Sequence, residues 1–190
     1  ALDALATHLG ETLEPTSRRT LLRYAELVAQ WSRRTDLVSA RDPRALTEVS
    51  FLDALVLADP ELVPQGARVV DVGAGAGAPA LPLVEPRRKR VAFLRTAIGA
   101  LGLADRASVI ESRVAPDTAL PGAPFDVALS RATFAPGEWL GLGLQLARRV
   151  IVLCAAEPPP DDDRTEQIAE RRYEVPSSNA PRAAYVFRSR

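Results

Sequence analysis

Methionine is absent from this 190-residue sequence, including at position 1, and cysteine, histidine and lysine occur once each, as Cys154, His8 and Lys89. A single cysteine excludes an internal disulfide and any multi-cysteine metal centre. His8 stands in the N-terminal helical stretch, where a packing or surface role is expected, and there is no G-x-S-x-G elbow, H-E-x-x-H helix or Walker A loop. No apolar run reaches the ~18 residues that a membrane-spanning helix needs. The opening stretch ALDALATHLG is a mildly amphipathic helix candidate that lacks the basic start and long apolar centre of a secretory signal. A cytoplasmic protein is therefore expected, with no membrane contact and with a monomer favoured. The missing methionines lead us to expect a chain that is incomplete, so that 190 is a minimum length.

What is present fits one ordinary globular domain. Hydrophobic residues make up 47% and charged residues 25% of the chain, the balance of a protein that buries a core. The 24 basic and 24 acidic residues cancel, which argues against strong nonspecific attraction to a polyanion. That neutrality hides a local split. Arg87, Arg88, Lys89, Arg90 and Arg95 form a cluster without an acid, whereas Glu157, Asp161, Asp162 and Asp163 gather in a proline-rich stretch. The cluster is read either as a solvated helix face or as a contact for nucleic-acid phosphates.

The first third reads as helices. Leu21, Ala25, Val28 and Trp31 recur at helical spacing, with Thr16 or Ser17 available as a cap, and Asp42-Pro43 opens a second helix striped by Ala45, Val49, Leu52 and Val56. From Ala67 onward, short apolar runs alternate with helical patterns, the texture of βαβ units around a mostly parallel sheet. Strands are expected at 67–71, 107–111, 125–129 and 150–154, and a helix over 91–101. RYEV and AYVF are expected to close the sheet as an antiparallel pair.

The strongest local signal is VVDVGAGAGAP, residues 69–79, where an apolar strand runs straight into Gly73, Gly75 and Gly77. Such a turn lets a nucleotide-type ligand approach the backbone closely. Gly73, Gly75 and Ala78 also fit the G-x-G-x-x-A form of the dinucleotide fingerprint, which keeps a nicotinamide cofactor open. Asp71 favours the other reading, because a carboxylate beside the turn repels a pyrophosphate but can receive the ammonium of S-adenosylmethionine. A second acid at the end of the next strand would accept the ribose hydroxyls, and Glu85 is the candidate. It follows Asp71 by only 14 residues, whereas such an acid commonly trails the turn by about 20. The crossover is thus either unusually tight or lacks residues.

Taken together, SARDP (39–43), FLDAL (51–55), DVGAGAGAPALP (71–82), VEPRRKRVAFLR (84–95), ESRV (111–114) and LSRA (129–132) give the chain a resemblance. It resembles the GidB or RsmG family of small-subunit ribosomal RNA guanine-N7 methyltransferases over residues 17–153. The resemblance implies a Rossmann-like class I S-adenosylmethionine-dependent methyltransferase fold, with an N-terminal helical cap (1–65) on a cofactor-binding core (66–190). It implies S-adenosylmethionine as cofactor and ribosomal RNA, or the small ribosomal subunit, as partner. Asp71, Gly73, Gly75 and Gly77 would then line the cofactor, Glu85 would hold its ribose, Val114 would lie along its adenine and Arg113 would border it. Arg131 would stand nearest the chemistry, and Arg87, Arg88 and Lys89 would meet substrate. Two departures concern cationic positions: Val49 and Ser50 replace an Arg-His pair, and Cys154 and Ala155 replace a Lys-Gly pair. They keep two alternatives open, a methyltransferase for a small-molecule acceptor and a noncatalytic cofactor- or RNA-binding protein.

The poverty in catalytic side chains suits this chemistry. Methyl transfer from a sulfonium is an in-line displacement governed by positioning, and guanine N7 offers a lone pair that needs no general base. An arginine at the base must leave N7 free, so Arg131 is expected at O6 or at a neighbouring phosphate.

Overall fold

A computed structural model describes residues 2–35, 37, 43–76, 82–131, 133–155, 159 and 161–190; for Pro43, Arg44, Leu46, Val49 and Ser50 only the backbone is described. Three helices come first: α1 (Leu2–His8), α2 (Pro15–Ser32) and α3 (Pro43–Val56). After β1 (Val69–Val72), β2 (Leu83–Val84) and α4 (Arg88–Ala100) come β3 (Val109–Ile110) and β4 (Phe125–Ser130). The chain continues through α5 (Pro136–Leu146), β5 (Ala147–Cys154), β6 (Thr165–Val175) and β7 (Ala180–Ser189). The seven strands form one sheet in the order β3-β2-β1-β4-β5-β7-β6. The first five are parallel, and β7 joins β5 and β6 antiparallel.

Side-chain alternation divides the core between the two faces of this sheet. Val70, Val72, Ala128, Val150 and Val152 pack on one face with Trp139, Leu140 and Leu146 of α5. Val69, Val127, Leu129 and Ile151 pack on the other with Leu2 and Leu5 of α1 and Phe51, Leu52 and Leu55 of α3. A third cluster joins Leu27 and Val28 of α2 to Ala74, Leu83, Phe93 and Leu94. The indole N–H of Trp139 donates to the Ile151 carbonyl at 2.8 Å, so the largest buried side chain is both packed and anchored.

Several expectations are adjusted. Helix α2 begins at Pro15 itself, with Glu14 as its N-cap and no side-chain hydrogen bond there, so neither Thr16 nor Ser17 caps it. Proline fits this first position because its missing N–H would have no intrahelical partner. Strand β3 covers only Val109–Ile110 of the expected 107–111. Helix α5, which the sequence reading did not place, follows Pro136, and the terminal hairpin is longer than RYEV and AYVF suggest. Asp42, Gly77 and the prolines at 79 and 158 lie outside the described residues.

Candidate cofactor site

Parity builds the site. Asp71 alternates with Val70 and Val72 and so shares the face of Val69, while Arg131 shares that of Leu129, which stands opposite Asp71 in the β1–β4 register. The two side chains therefore meet at the carboxyl ends of adjacent parallel strands. Open α/β sheets bind ligands at this edge, where the strand order reverses. The reversal falls at β1, between β2 and β4.

Asp71 is fully buried, and neither of its carboxylate oxygens accepts a hydrogen bond from the described residues. Arg131 Nη2 lies 3.8 Å from Asp71 Oδ2 and donates to the Ala74 carbonyl at 3.2 Å. Burial pushes the Asp71 carboxyl up to about 6; the Arg131 charge pulls it down, and the Glu85 and Asp53 charges push it further up. Near neutrality the group is ionised in a place that gives the ion little solvation.

The turn after β1 is tied from two sides. Gly73 has a φ of +74°, and a side chain there would run into Thr133, whose single hydroxyl proton lies within reach of the Arg131 carbonyl at 3.2 Å and the Gly73 carbonyl at 3.5 Å. Only glycine meets both demands. Glu85, 2% exposed, accepts the Gly75 N–H at 2.9 Å and the Arg87 N–H at 2.8 Å. One carboxylate thus joins the end of β2, the glycine turn and the start of α4. From above, the Tyr24 hydroxyl of α2 donates to the Ala76 carbonyl. Its ring packs edge-on against Phe51, and burial, with the Asp71 charge, holds the phenol well above its ordinary range.

The remaining candidates lie around this centre. Val114 is buried among core side chains, and Arg113 is exposed. Arg87, Arg88 and Lys89 are exposed at the start of α4, whose first turn holds no acid. Cations there oppose the helix dipole; Arg88 is offset by Glu111, with Nε 3.3 Å from Oε1. Cys154 is buried at the end of β5 and Ala155 beyond it is exposed, while Val49 and Ser50 lie on α3. His8 ends α1, apart from the site.

Tyr24 and Thr133 were not singled out in the sequence. Tyr24 had a readable signal, a polar tip within the apolar stripe from Leu21 to Trp31. Thr133 had none, since its role depends on β4 lying beside β1.

The donor set fits the methionine end of S-adenosylmethionine: a buried carboxylate with open oxygens beside backbone carbonyls at a glycine turn suits an ammonium with three N–H donors. A pyrophosphate would meet the same carboxylate as a repelling charge.

Sheet order, glycine turn and buried acid define a class I methyltransferase fold. Solved structures share it: the O-methyltransferase from Bacillus cereus in complex with SAH has a TM-score of 0.54 at 12% identity, covering 97% of this chain and 96% of that one. The tRNA methyltransferase TrmK of B. subtilis gives 0.53 at 15% identity, covering 72% and 65%. More specifically, the chain belongs to the GidB family, rRNA small subunit methyltransferase G, whose profile matches residues 17–149. Ribosomal RNA small subunit methyltransferase G of Yersinia pseudotuberculosis serotype O:3 (strain YPIII) is 38% identical over 142 residues, 69% of this chain and 66% of that protein. The chain thus spans just under two thirds of that relative's length.

Proposed function

We propose that the protein is an S-adenosylmethionine-dependent methyltransferase acting on guanine N7 of small-subunit ribosomal RNA. The observation that carries this reading is the fully buried Asp71 carboxylate, open on both oxygens beside the glycine turn. Membership of the GidB family supports the acceptor. When bound, the cofactor supplies a methyl group on a positively charged sulfur.

The chain's own residues then have the following parts. Asp71 holds the ammonium, and the backbone at Gly73 and Gly75 lies along the methionine and ribose. Glu85 braces the turn through the Gly75 N–H and has lone pairs left for ribose hydroxyls. The Val114 backbone lies by the adenine, with Arg113 at its border. Arg131 faces the acceptor and meets O6 or a phosphate, leaving N7 free for in-line attack. Arg87, Arg88 and Lys89 take RNA phosphates. No side chain need remove a proton, because N7 attacks with a lone pair it already has. We read residues 1–65 as a cap that closes the site through Tyr24, and 66–190 as the core.

Transfer of a radiolabelled methyl group to small-subunit RNA that lacks the modification tests the reading. Label is expected on guanine N7. Bound S-adenosylmethionine without transfer to this RNA would overturn the acceptor, and absence of binding would overturn the cofactor.

A further inference from the structure

Asp53 of α3 is a further acid facing this centre, and none of the parts above falls to it. It is half-buried, and its Oδ1 accepts the hydroxyl of Tyr173 of β6 at 2.8 Å. Tyr173 is buried in the core; burial, then the Asp53 charge and this bond, hold its phenol well above the ordinary range, so the proton stays on the tyrosine. One oxygen of the carboxylate is thereby fixed. Its Oδ2 accepts no hydrogen bond from the described residues, and no cation among them pairs with it, Arg182 opposite Tyr173 on β7 included.

Location decides what that second oxygen can meet. Parity puts Asp71 of β1, Arg131 just past β4 and Tyr173 of β6 on the sheet face that α3 covers, each at the carboxyl end of its strand. In strand order Arg131 stands between the other two. Asp53 is bonded to Tyr173 on one side, and on the other its charge is among those that raise the Asp71 carboxyl. Guanine presents, in order around its rings, N7, O6, N1–H and the N2 amino group. With N7 turned to the methyl donor, O6 comes next and the two donors lie beyond it. The edge offers counterparts in the same order: Asp71 at the donor end, the Arg131 guanidinium for O6, and the acceptor-only Asp53 carboxylate for N1–H and N2–H.

We propose that Asp53 accepts the N1–H and N2–H of the acceptor guanine, and that Tyr173 positions it to do so. This rests on the guanine-N7 reading above and adds to it the group that selects the base. Adenine would present a lone pair at N1 to the carboxylate and an amino group to the guanidinium, a mismatch at both places. The carboxylate also acts on the charge that the reaction moves. As N7 attacks, its lone pair becomes the new N–C bond, the electron pair of the broken S–C bond stays on sulfur, and the positive charge passes from sulfur to the purine. A cationic purine is a stronger donor at N1–H, so the bond to Asp53 strengthens toward the transition state while the proton stays on N1.

The experiment compares methyl transfer to small-subunit RNA carrying guanosine or inosine at the accepting position, by the wild type, Asp53→Ala and Tyr173→Phe. Inosine keeps N7, O6 and N1–H and lacks only the N2 amino group. The wild type is expected to favour guanosine by about tenfold or more in kcat/KM, the value of one hydrogen bond to a charged acceptor. Asp53→Ala should lose about thirtyfold on guanosine RNA and keep a preference of no more than about threefold, with Tyr173→Phe between it and the wild type. Equal use of the two RNAs by the wild type overturns the assignment, and that result needs no variant to fold. A lower rate with the preference intact, in a folded Asp53→Ala, would mark the Asp53–Tyr173 bond as a strut only and overturns it too. Where Asp53→Ala is too slow to compare, an unchanged preference in Tyr173→Phe has the same force. A wild type that transfers nothing to guanosine RNA overturns the guanine-N7 reading itself, which separates the two failures.

Discussion

The two halves of the sheet are built by different means. Strands β4, β5, β7 and β6 run through Phe125–Ser130, Ala147–Cys154, Ala180–Ser189 and Thr165–Val175, long enough for backbone ladders and alternating side chains to hold one another. Strands β2 and β3 have two residues each, and only residues 73–82 separate β1 from β2. A parallel crossover ordinarily takes a dozen residues or more, most of them helical. On this side, side chains do what a ladder does elsewhere: Glu85 ties two backbone N–H groups, Tyr24 holds the Ala76 carbonyl, and α2 packs Leu27 and Val28 against Leu83. The long-stranded half is held by its backbone ladders, and the short-stranded half by side chains that brace the glycine turn of the site.

Substitutions on either side should therefore separate stability from binding. The largest effect is expected at Asp71. Its folded carboxyl titrates at about 6 against an ordinary 3.8. For a raised carboxyl the native state is favoured below the unfolded value, and that advantage is lost as pH rises through the folded one. Asp71→Asn should therefore match the wild type in stability near pH 4 and exceed it by about 3 kcal/mol above pH 7, a difference that calorimetric melting across pH 4–8 reads. A difference independent of pH would show that the buried charge is not the cause.

Next comes Trp139→Phe in the long-stranded half. It removes the donor to the Ile151 carbonyl and some core volume, at an expected cost of about 2 kcal/mol by denaturant unfolding. Cofactor affinity measured well below the melting temperature should stay within twofold. Smallest is Tyr24→Phe, which loses one hydrogen bond to the turn. About 1 kcal/mol, or roughly fivefold, should appear in cofactor affinity, with little change in the global unfolding midpoint. If Trp139→Phe weakens binding as much as Tyr24→Phe does, the division between the halves fails.

The same division governs what could be read in advance. VIVLC is apolar on both faces and lies in β5 between two paired strands, as such a run should. Asp71 stood out because a carboxylate beside a glycine turn repels a pyrophosphate, and Glu85 because it ends the run expected to form the next strand. Helix α5 did not, since Gly137, Gly141 and Gly143 depress helix propensity. It forms because Trp139, Leu140 and Leu146 bury against the sheet, and the absence of a side chain at Gly143 admits Val150, which a Cβ would approach to 2.6 Å. The part of the site that depends on chain crossings was hidden for a related reason. Arg131 stood out as a residue, but its approach to Asp71 and the Tyr24 clamp follow from β4 lying beside β1 and α2 lying over the turn, and neither has a local signal in the sequence.

The most direct test is titration of S-adenosylmethionine into the wild type and into Asp71→Asn at pH 8, with melting curves to establish that both are folded. Binding by the wild type and at least a hundredfold loss in the variant are expected, because the ammonium would be left without its counter-charge in a buried site. Equal affinity in the two folded proteins would contradict the assignment of Asp71 as the residue around which the site is built.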